Sequence, residues 1–407
     1  MNSLKRCFAI PVFLMWMFFP VMDGLSQSSG SSPLKGEKEV PVIQVAGNPY
    51  ERGLQHGMQL KKEIGELYKA WKDNLVASTK RDADSLITEF LAETDFIPAI
   101  NKWTPGLMDE VRGISEGSGQ TFNDVFAFQL LDEFWVYLDR LEKENSDHCS
   151  CIGVSSTANH PAIVAQNMDL ENYWHGYQIL LHISGTETEP EQYILTTTGL
   201  VALTGMNAMG IGINANTLMP LQASGKGLPV AFFIRGILSK RNSGEVLAFV
   251  KSAEHASGQN YIIGIQDSVY DFEASANQVV RFYPDQKKSG LVYHTNHPLV
   301  NPNVKPWYRE SQKEILAGKA KNVNSVERYK ALKKRLDKPI DQITADLIKT
   351  TLRSRDDQKN PVCRAYNESA WAFTFSSVVY TLTGKRSVQV TYGPPNKSEY
   401  KEHFFKE

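Results

Sequence analysis

The chain has 407 residues, 42% of them hydrophobic, with 44 Lys and Arg set against 45 Asp and Glu. Near-neutrality without a basic block argues against a nucleic-acid partner. No repeat and no Pro/Gly/Ser-rich interior linker divides the chain, so one large domain over 40–407 is expected.

The first 22 residues, "MNSLKRCFAIPVFLMWMFFPVM", carry Lys5 and Arg6 ahead of an apolar run from Phe8 to Met22, followed by Gly24 and Ser26. That is the pattern of a secretory signal peptide over 1–26. The apolar run is shorter than the roughly 20 residues that span a bilayer. Export to the periplasm or the outside is therefore expected, with no stable membrane span once the segment is removed. "SSGSSPLKGEKE" then reads as a disordered leader over 27–39. Removing residues 1–26 takes Lys5, Arg6 and Asp23 away and leaves 42 basic against 44 acidic residues, a formal charge of −2.

"VPVIQVAG" reads as a strand. Next comes "NPYERGLQHGMQLKKEIGELYKAW", a helix with Asn48 as N-cap, Pro49 at its first position and Glu51 closing a capping box. Leu60, Ile64, Leu67 and Trp71 mark its apolar face. "TPGLMDEVRGISEG" is expected to repeat that start from Thr104 and Pro105, and "TFNDVFAFQLLDEFWVYLDRL" to run as a buried helix capped by Thr121. The segment 40–148 is thus mainly helical. From residue 149 the pattern changes to strand-like runs with turn signals between them: "CIGVSS", "AIVAQNM", "YQILLHIS", "QYILTTTGLVALTGM" and "GIGINANTL". Helices return at "PVAFFIRGILSK" and "SGEVLAFVKSAEHA", strands at "YIIGIQ", "VVRFYP" and "GLVYHTN". The helices "SVERYKALKKRL" and "IDQITADLIKTTLRS" precede a hairpin, "WAFTFSSVVYTLTGKRSVQVTYG". Short turns favour antiparallel sheets, and long apolar strands favour sheets covered by helices, so the fold class is α+β in layers.

Three cysteines follow the signal segment: Cys149, Cys151 and Cys363. An odd number in an exported chain leaves at least one unpaired thiol, and a bridge between positions i and i+2 would be badly strained. A thiol that attacks carbonyls needs a base. His148 is a poor one for Cys149, because adjacent strand residues face opposite ways, and His160 lies in a turn. The α-amino group released by scission before a cysteine is another base, with an ordinary pKa of about 7.7–8.0 that suits proton transfer near neutrality. A strand starting just after the polar break "EKENSDH" is a fitting place for such a cut.

"C-S-C-I-G-V" followed a hairpin later by "QNMD" resembles the start of N-terminal-nucleophile amidases such as bile salt hydrolases and penicillin V acylases. It is closest to the acyl-coenzyme A:6-aminopenicillanic acid acyltransferase branch, where the nucleophile is internal and exposed by self-cleavage. Further segments resemble that branch in its order: "VAGNPYERGLQHGMQL", "GMNAMGIGINANTL" ending at Asn216, "HTNHP" with Asn296, "SVERY" with Arg328, "DDQKNPVCRAYNE" and "VTYGPPNKSEY". The resemblance spans most of residues 40–400. It implies a four-layer αββα sandwich of two antiparallel sheets and an amidohydrolase or acyltransferase acting on a small-molecule linear amide, with no cofactor and no metal.

The resemblance also implies roles. Cys149 is the nucleophile and cleavage falls between His148 and Cys149. Cys151, which lacks the hydroxyl residue that Ser150 provides after Cys149, is the alternative. Asp169 orients the new amine. Asn296, with Asn216 or a backbone N–H, donates to the oxyanion, and Arg328 lowers the thiol pKa by its charge. Gln166 and Asn167, with the aromatics Tyr173, Trp174 and Tyr177, are the expected substrate contacts. Gln166 stands where bile salt hydrolases carry arginine, and His148 where glycine often precedes the nucleophile. Other readings are an exported binding protein with the fold but no activity, or "HCSC" as half of a zinc site, although no second Cys/His pair is spaced to complete one. Oligomeric state is not readable.

Overall fold

The computed structural model of the chain describes residues 39–141, 149–283, 290–320 and 323–406. The expected signal segment, residues 27–38 of the leader and His148 lie outside the described residues. Strand β1 (Val42–Val45) leads into seven helices: α1 (Pro49–Gln59), α2 (Lys61–Thr79), α3 (Ala83–Glu93), α4 (Ile97–Trp103), α5 (Leu107–Ser118), α6 (Phe122–Gln129) and α7 (Leu131–Leu141). Next come β2 (Ser150–Val154), β3 (Ile163–Glu171), β4 (Gln178–Ile183), β5 (Gln192–Thr197), β6 (Thr204–Asn207) and β7 (Ile211–Thr217). Helices α8 (Val230–Leu238) and α9 (Ser243–Ser252) precede β8 (Gln259–Ile265), β9 (Ser268–Ala274), β10 (Val279–Phe282) and β11 (Leu291–His294). Helices α10 (Pro306–Leu316), α11 (Asn324–Arg335) and α12 (Ala345–Leu352) lead to β12 (Ala372–Thr381), β13 (Ser387–Val390) and β14 (Lys401–Phe404).

The strands form an eight-stranded sheet in the order β1-β4-β5-β6-β7-β8-β9-β10 and a six-stranded sheet in the order β11-β2-β3-β12-β13-β14. Every pairing is antiparallel except β1 with β4, so one edge of the larger sheet departs from the expected pattern. Alternation along β2 and β3 sorts the layers. Cys151, Val164 and Met168 face the larger sheet, while Ile152, Val154, Ile163 and Ala165 face Leu332 of α11, Leu336 just after it, and Ile348 and Leu352 of α12. Two sheets with helices on both outer faces make the four-layer α+β sandwich.

The start of α1 is as the sequence predicts: Asn48 Oδ1 accepts from Glu51 N at 3.0 Å and Glu51 Oε2 accepts from Asn48 N at 2.8 Å. The predicted long helix nevertheless breaks at Leu60 (φ −123°, ψ 23°), and the predicted helix from Thr121 breaks at Leu130. Thr104 is not a cap. Gly106, with φ at +91°, starts α5 instead, and the Thr104 hydroxyl turns back to Ile100 O at 3.1 Å. The α1–α5 contact is backbone on backbone, since a Cβ at Gly53 would lie 1.9 Å from Glu110 O. Among the described residues no helix is long and apolar enough to cross a membrane.

Candidate active site

Strand β2 begins at Ser150, so Cys149 sits at its mouth, half-buried. It lines a cavity of about 620 Å³, open solvent at its mouth included, together with Met168, Asp169 and Leu170 of β3 and Asn296 after β11. The rest of the wall comes from the helical layer and the larger sheet: Leu131, Asp132 and Trp135 of α7, Val230, Ala231 and Ile234 of α8, and Ala215, Thr217 and Gln259.

Arg328 ties this corner together. It lies on α11, fully buried. Its Nη1 donates to Cys149 O at 2.5 Å and to Ser150 Oγ at 2.9 Å, its Nη2 to Asn296 Oδ1 at 2.9 Å, and its Nε to Asn324 Oδ1 at 2.7 Å. Burial lowers its pKa to about 10, against the pull of Asp169. With Oδ1 held by the guanidinium, Asn296 presents its NH₂ end. One hydrogen goes to Thr217 O at 3.1 Å, and Nδ2 carries a second.

Asp169 is buried at the same cavity. Its Oδ1 accepts from the Thr374 hydroxyl at 2.6 Å, and Oδ2 pairs with Arg364 Nε at 3.4 Å. Burial raises its pKa to about 6, against the opposing effects of Arg364, Thr374 and Arg328. Cys149, Asp169, Asn296 and Arg328, which span 180 positions of sequence, are therefore brought to one place.

Other expected residues lie elsewhere in the sandwich. Cys151 points between the sheets, fully buried, with Sγ 3.9 Å from Ala215 O. Burial there pushes its thiol pKa well above the ordinary value. All three cysteines are thiols, and Cys363 is buried as well. Asn216 does not line the cavity. It faces the inter-sheet space beside the Cys151 thiol, with both side-chain heteroatoms buried. The neighbour on the other face, Thr217, lines the cavity instead.

Gln166 spans the two sheets, donating from Nε2 to Ala215 O at 2.7 Å. Asn167 faces the outer helical layer and donates to Leu352 O at 2.8 Å and Val362 O at 2.9 Å. Neither lines the cavity, and both amides are engaged within the sandwich. Of the aromatics, Trp174 lines the cavity, whereas Tyr173 lines a neighbouring cleft with Trp71, Met219 and Trp371. Trp135 borders both spaces.

The sequence profile of the acyl-coenzyme A:6-aminopenicillanic acid acyl-transferase family matches residues 157–397. This chain belongs to that family. The matched span starts after Cys149 and contains Asp169, Asn216, Asn296 and Arg328. A curated relative, the 40 kDa form of acyl-coenzyme A:6-aminopenicillanic-acid-acyltransferase from Emericella nidulans, is 22% identical over 364 residues, covering 87% of this chain and 92% of the relative. Solved structures similar to this chain include a Caenorhabditis elegans ortholog of N-acylethanolamine-hydrolyzing acid amidase (17% identity, 57% of this chain and 92% of that one, TM-score 0.38). A variant of the conjugated bile acid hydrolase of Clostridium perfringens (14%, 63% and 97%, TM-score 0.38) and penicillin V acylase from Agrobacterium tumefaciens (12%, 59% and 82%, TM-score 0.37) are also similar. As a member of the acyl-transferase family, the chain is an enzyme.

Proposed function

We propose that this family member is exported, is cut between His148 and Cys149, and then acts through the Cys149 thiol and its own amino group on a linear amide. One observation carries the reading: Cys149, Asp169 and Asn296 share a cavity, and Arg328 grips Cys149 O and Asn296 Oδ1 from behind it. In the reaction, Cys149 Sγ attacks the amide carbonyl while the Cys149 amine takes the thiol proton. An amine of ordinary pKa about 7.7–8.0 is matched to that task near neutrality. Asp169 accepts a hydrogen bond from the amine and fixes its direction.

The tetrahedral oxyanion takes a hydrogen bond from Asn296 Nδ2, a contribution of about 2.7–4 kcal/mol for such a donor. Collapse breaks the C–N bond, and the ammonium returns its proton to the leaving amine. The acyl group remains on Sγ as a thioester. Water attacks it for hydrolysis, or a second amine for transfer. The apolar walls (Met168, Leu170, Trp174, Leu200, Val230, Ile234) suit the hydrocarbon part of the substrate.

The test is intact-mass analysis and amino-terminal sequencing of secreted protein. Two chains spanning 27–148 and 149–407 are expected from the wild type and from Cys151→Ala, and one uncut chain from Cys149→Ala. Full activity in a wild-type chain still joined at His148 overturns the proposal.

A further inference from the structure

The cavity contains a carboxylate that the chemistry above does not use. Asp132 stands in the first turn of α7 and lines the same cavity as Cys149. Its Oδ1 accepts from the Thr217 hydroxyl and from Gln259 Nε2, the latter at 3.0 Å. Among the described residues no donor reaches Oδ2, and no Lys, Arg or His pairs with the carboxylate. Asp132 is partly exposed at the cavity, and a carboxylate without a cation there is unfavourable once a substrate covers it; burial already raises its pKa.

A second acceptor lies beside it. Gln259 is 1% exposed and lines the cavity. Its amide is oriented by a relay: Nε2 donates to Ser257 Oγ at 3.1 Å, and that hydroxyl donates to Glu133 Oε1 at 2.6 Å. Both donor contacts are thereby committed to Asp132 and Ser257, which leaves Gln259 Oε1 buried without a partner. A carboxylate without a cation and, hydrogen-bonded to it, an amide whose buried oxygen lacks a donor thus lie at a cavity whose other walls here are Leu200, Leu203, Val230, Ala231 and Ile234.

An anionic ligand would be repelled, and an apolar one would leave both oxygens unsatisfied. A protonated amine supplies N–H donors and the missing charge together. We propose that Asp132 and Gln259 form a subsite for a primary ammonium group of the substrate, so that preferred amides carry such a group across a short apolar spacer from the scissile bond. The proposal rests on the reading that Cys149 attacks the amide in this cavity.

The test has a binding arm and a kinetic arm, run on the full processed protein, on D132N and on D132E, each checked by thermal unfolding. Calorimetry compares n-butyl- and n-pentylammonium with the alcohols of the same chain length. The wild type should bind the ammonium at least tenfold more tightly, D132N should lose that preference, and D132E should keep part of it. Hydrolysis of anilides whose acyl chains end in ammonium or in methyl should show at least a tenfold kcat/KM preference for ammonium that collapses in D132N.

No ammonium preference in the wild type, its survival in D132N, or equal losses on both anilides in D132N would each overturn the subsite. If D132N does not fold, the wild-type ratio and D132E decide. Asp132-dependent ammonium binding in a protein whose Cys149→Ala variant still cleaves both anilides upholds the subsite and removes the Cys149 reading. Thiol-dependent cleavage without ammonium preference does the reverse.

Discussion

Replacing Arg328 by Met tests whether one buried cation both holds the sandwich together and aims the oxyanion donor. The guanidinium makes hydrogen bonds to four oxygens, of Cys149, Ser150, Asn296 and Asn324. Ser150 has a hydroxyl that can rotate, and Asn324 is only partly buried, so water can replace the donor to its Oδ1. Cys149 O and Asn296 Oδ1 are the two acceptors left without a donor. Bonds to a charged group contribute about 1.5–3 kcal/mol each, so losing these two removes about 3–6 kcal/mol. Relief from burying a charge returns part of it, and a net loss of about 3–5 kcal/mol is expected, as for other broken buried ion networks. In a chain of this size that is a fall in Tm of about 4–6 °C.

The effect on catalysis is separable from the effect on stability. Without Arg328 the Asn296 carboxamide is no longer held by its oxygen, and losing one oxyanion donor slows kcat by about 10²–10³. If Arg328 acts through Asn296, the losses in Asn296→Ala and Arg328→Met are not multiplicative, and the double variant is hardly slower than the worse single one. The assay is kcat on the best amide from a fluorogenic panel, measured well below each variant's Tm and paired with thermal unfolding. A Tm within 2 °C of wild type, or a double variant whose loss is the full product of the singles, refutes the reasoning.

Burial separates the three cysteines, so iodoacetamide at pH 8 should modify Cys149 while Cys151 and Cys363, whose thiols burial pushes up (Cys363 to about 12), react only after unfolding. Peptide mapping reads this, and preferential labelling of Cys151 in the native state would exchange the two cysteines' roles. Asp169 gives a pH-dependent prediction. Its folded pKa of about 6 lies above the ordinary carboxylate value, so the native state holds the proton more tightly. The stability this lends is complete below about pH 4 and is lost as pH rises through about 6, by about 3 kcal/mol for a shift of some two units. Asp169→Asn should not lose it. Because Glu171 and Asp271, both raised to about 7 by burial, act in the same direction, the measurement is the difference between wild type and variant in urea midpoint at pH 4 and pH 7, and no difference sinks the assignment.

What the sequence could convey depended on how local each feature is. The capping box at Asn48 and the hairpins of β2–β3 and β12–β13 are written in neighbouring residues, and they form as read. Cys149, Asp169, Asn296 and Arg328 were findable because each lies in a short segment resembling a family motif. Their convergence needs the β11-β2-β3 strand order and α11 behind it, which no single segment encodes. Errors arose where one position decides a face. Asn216 and Thr217 are adjacent, and a spacing argument cannot choose between them, but the pairing of Asn216 with Asn260 and of Thr217 with Gln259 turns the first pair between the sheets and the second toward the helices.

The same pairing explains why Asp132 went unnoticed. In sequence it is one acidic residue in an amphipathic helix, where a solvated face is the ordinary outcome. Its significance arises only when α7 lies over the Thr217–Gln259 pair, which places a carboxylate, a hydroxyl and an amide from residues 132, 217 and 259 in one hydrogen-bonded group. The proposed reacting end of this cavity thus lies in segments that resemble family motifs. The end that would select the substrate is assembled from side chains that no motif marks, so a chain can retain the first while changing the second by substitution at a single strand or helix position.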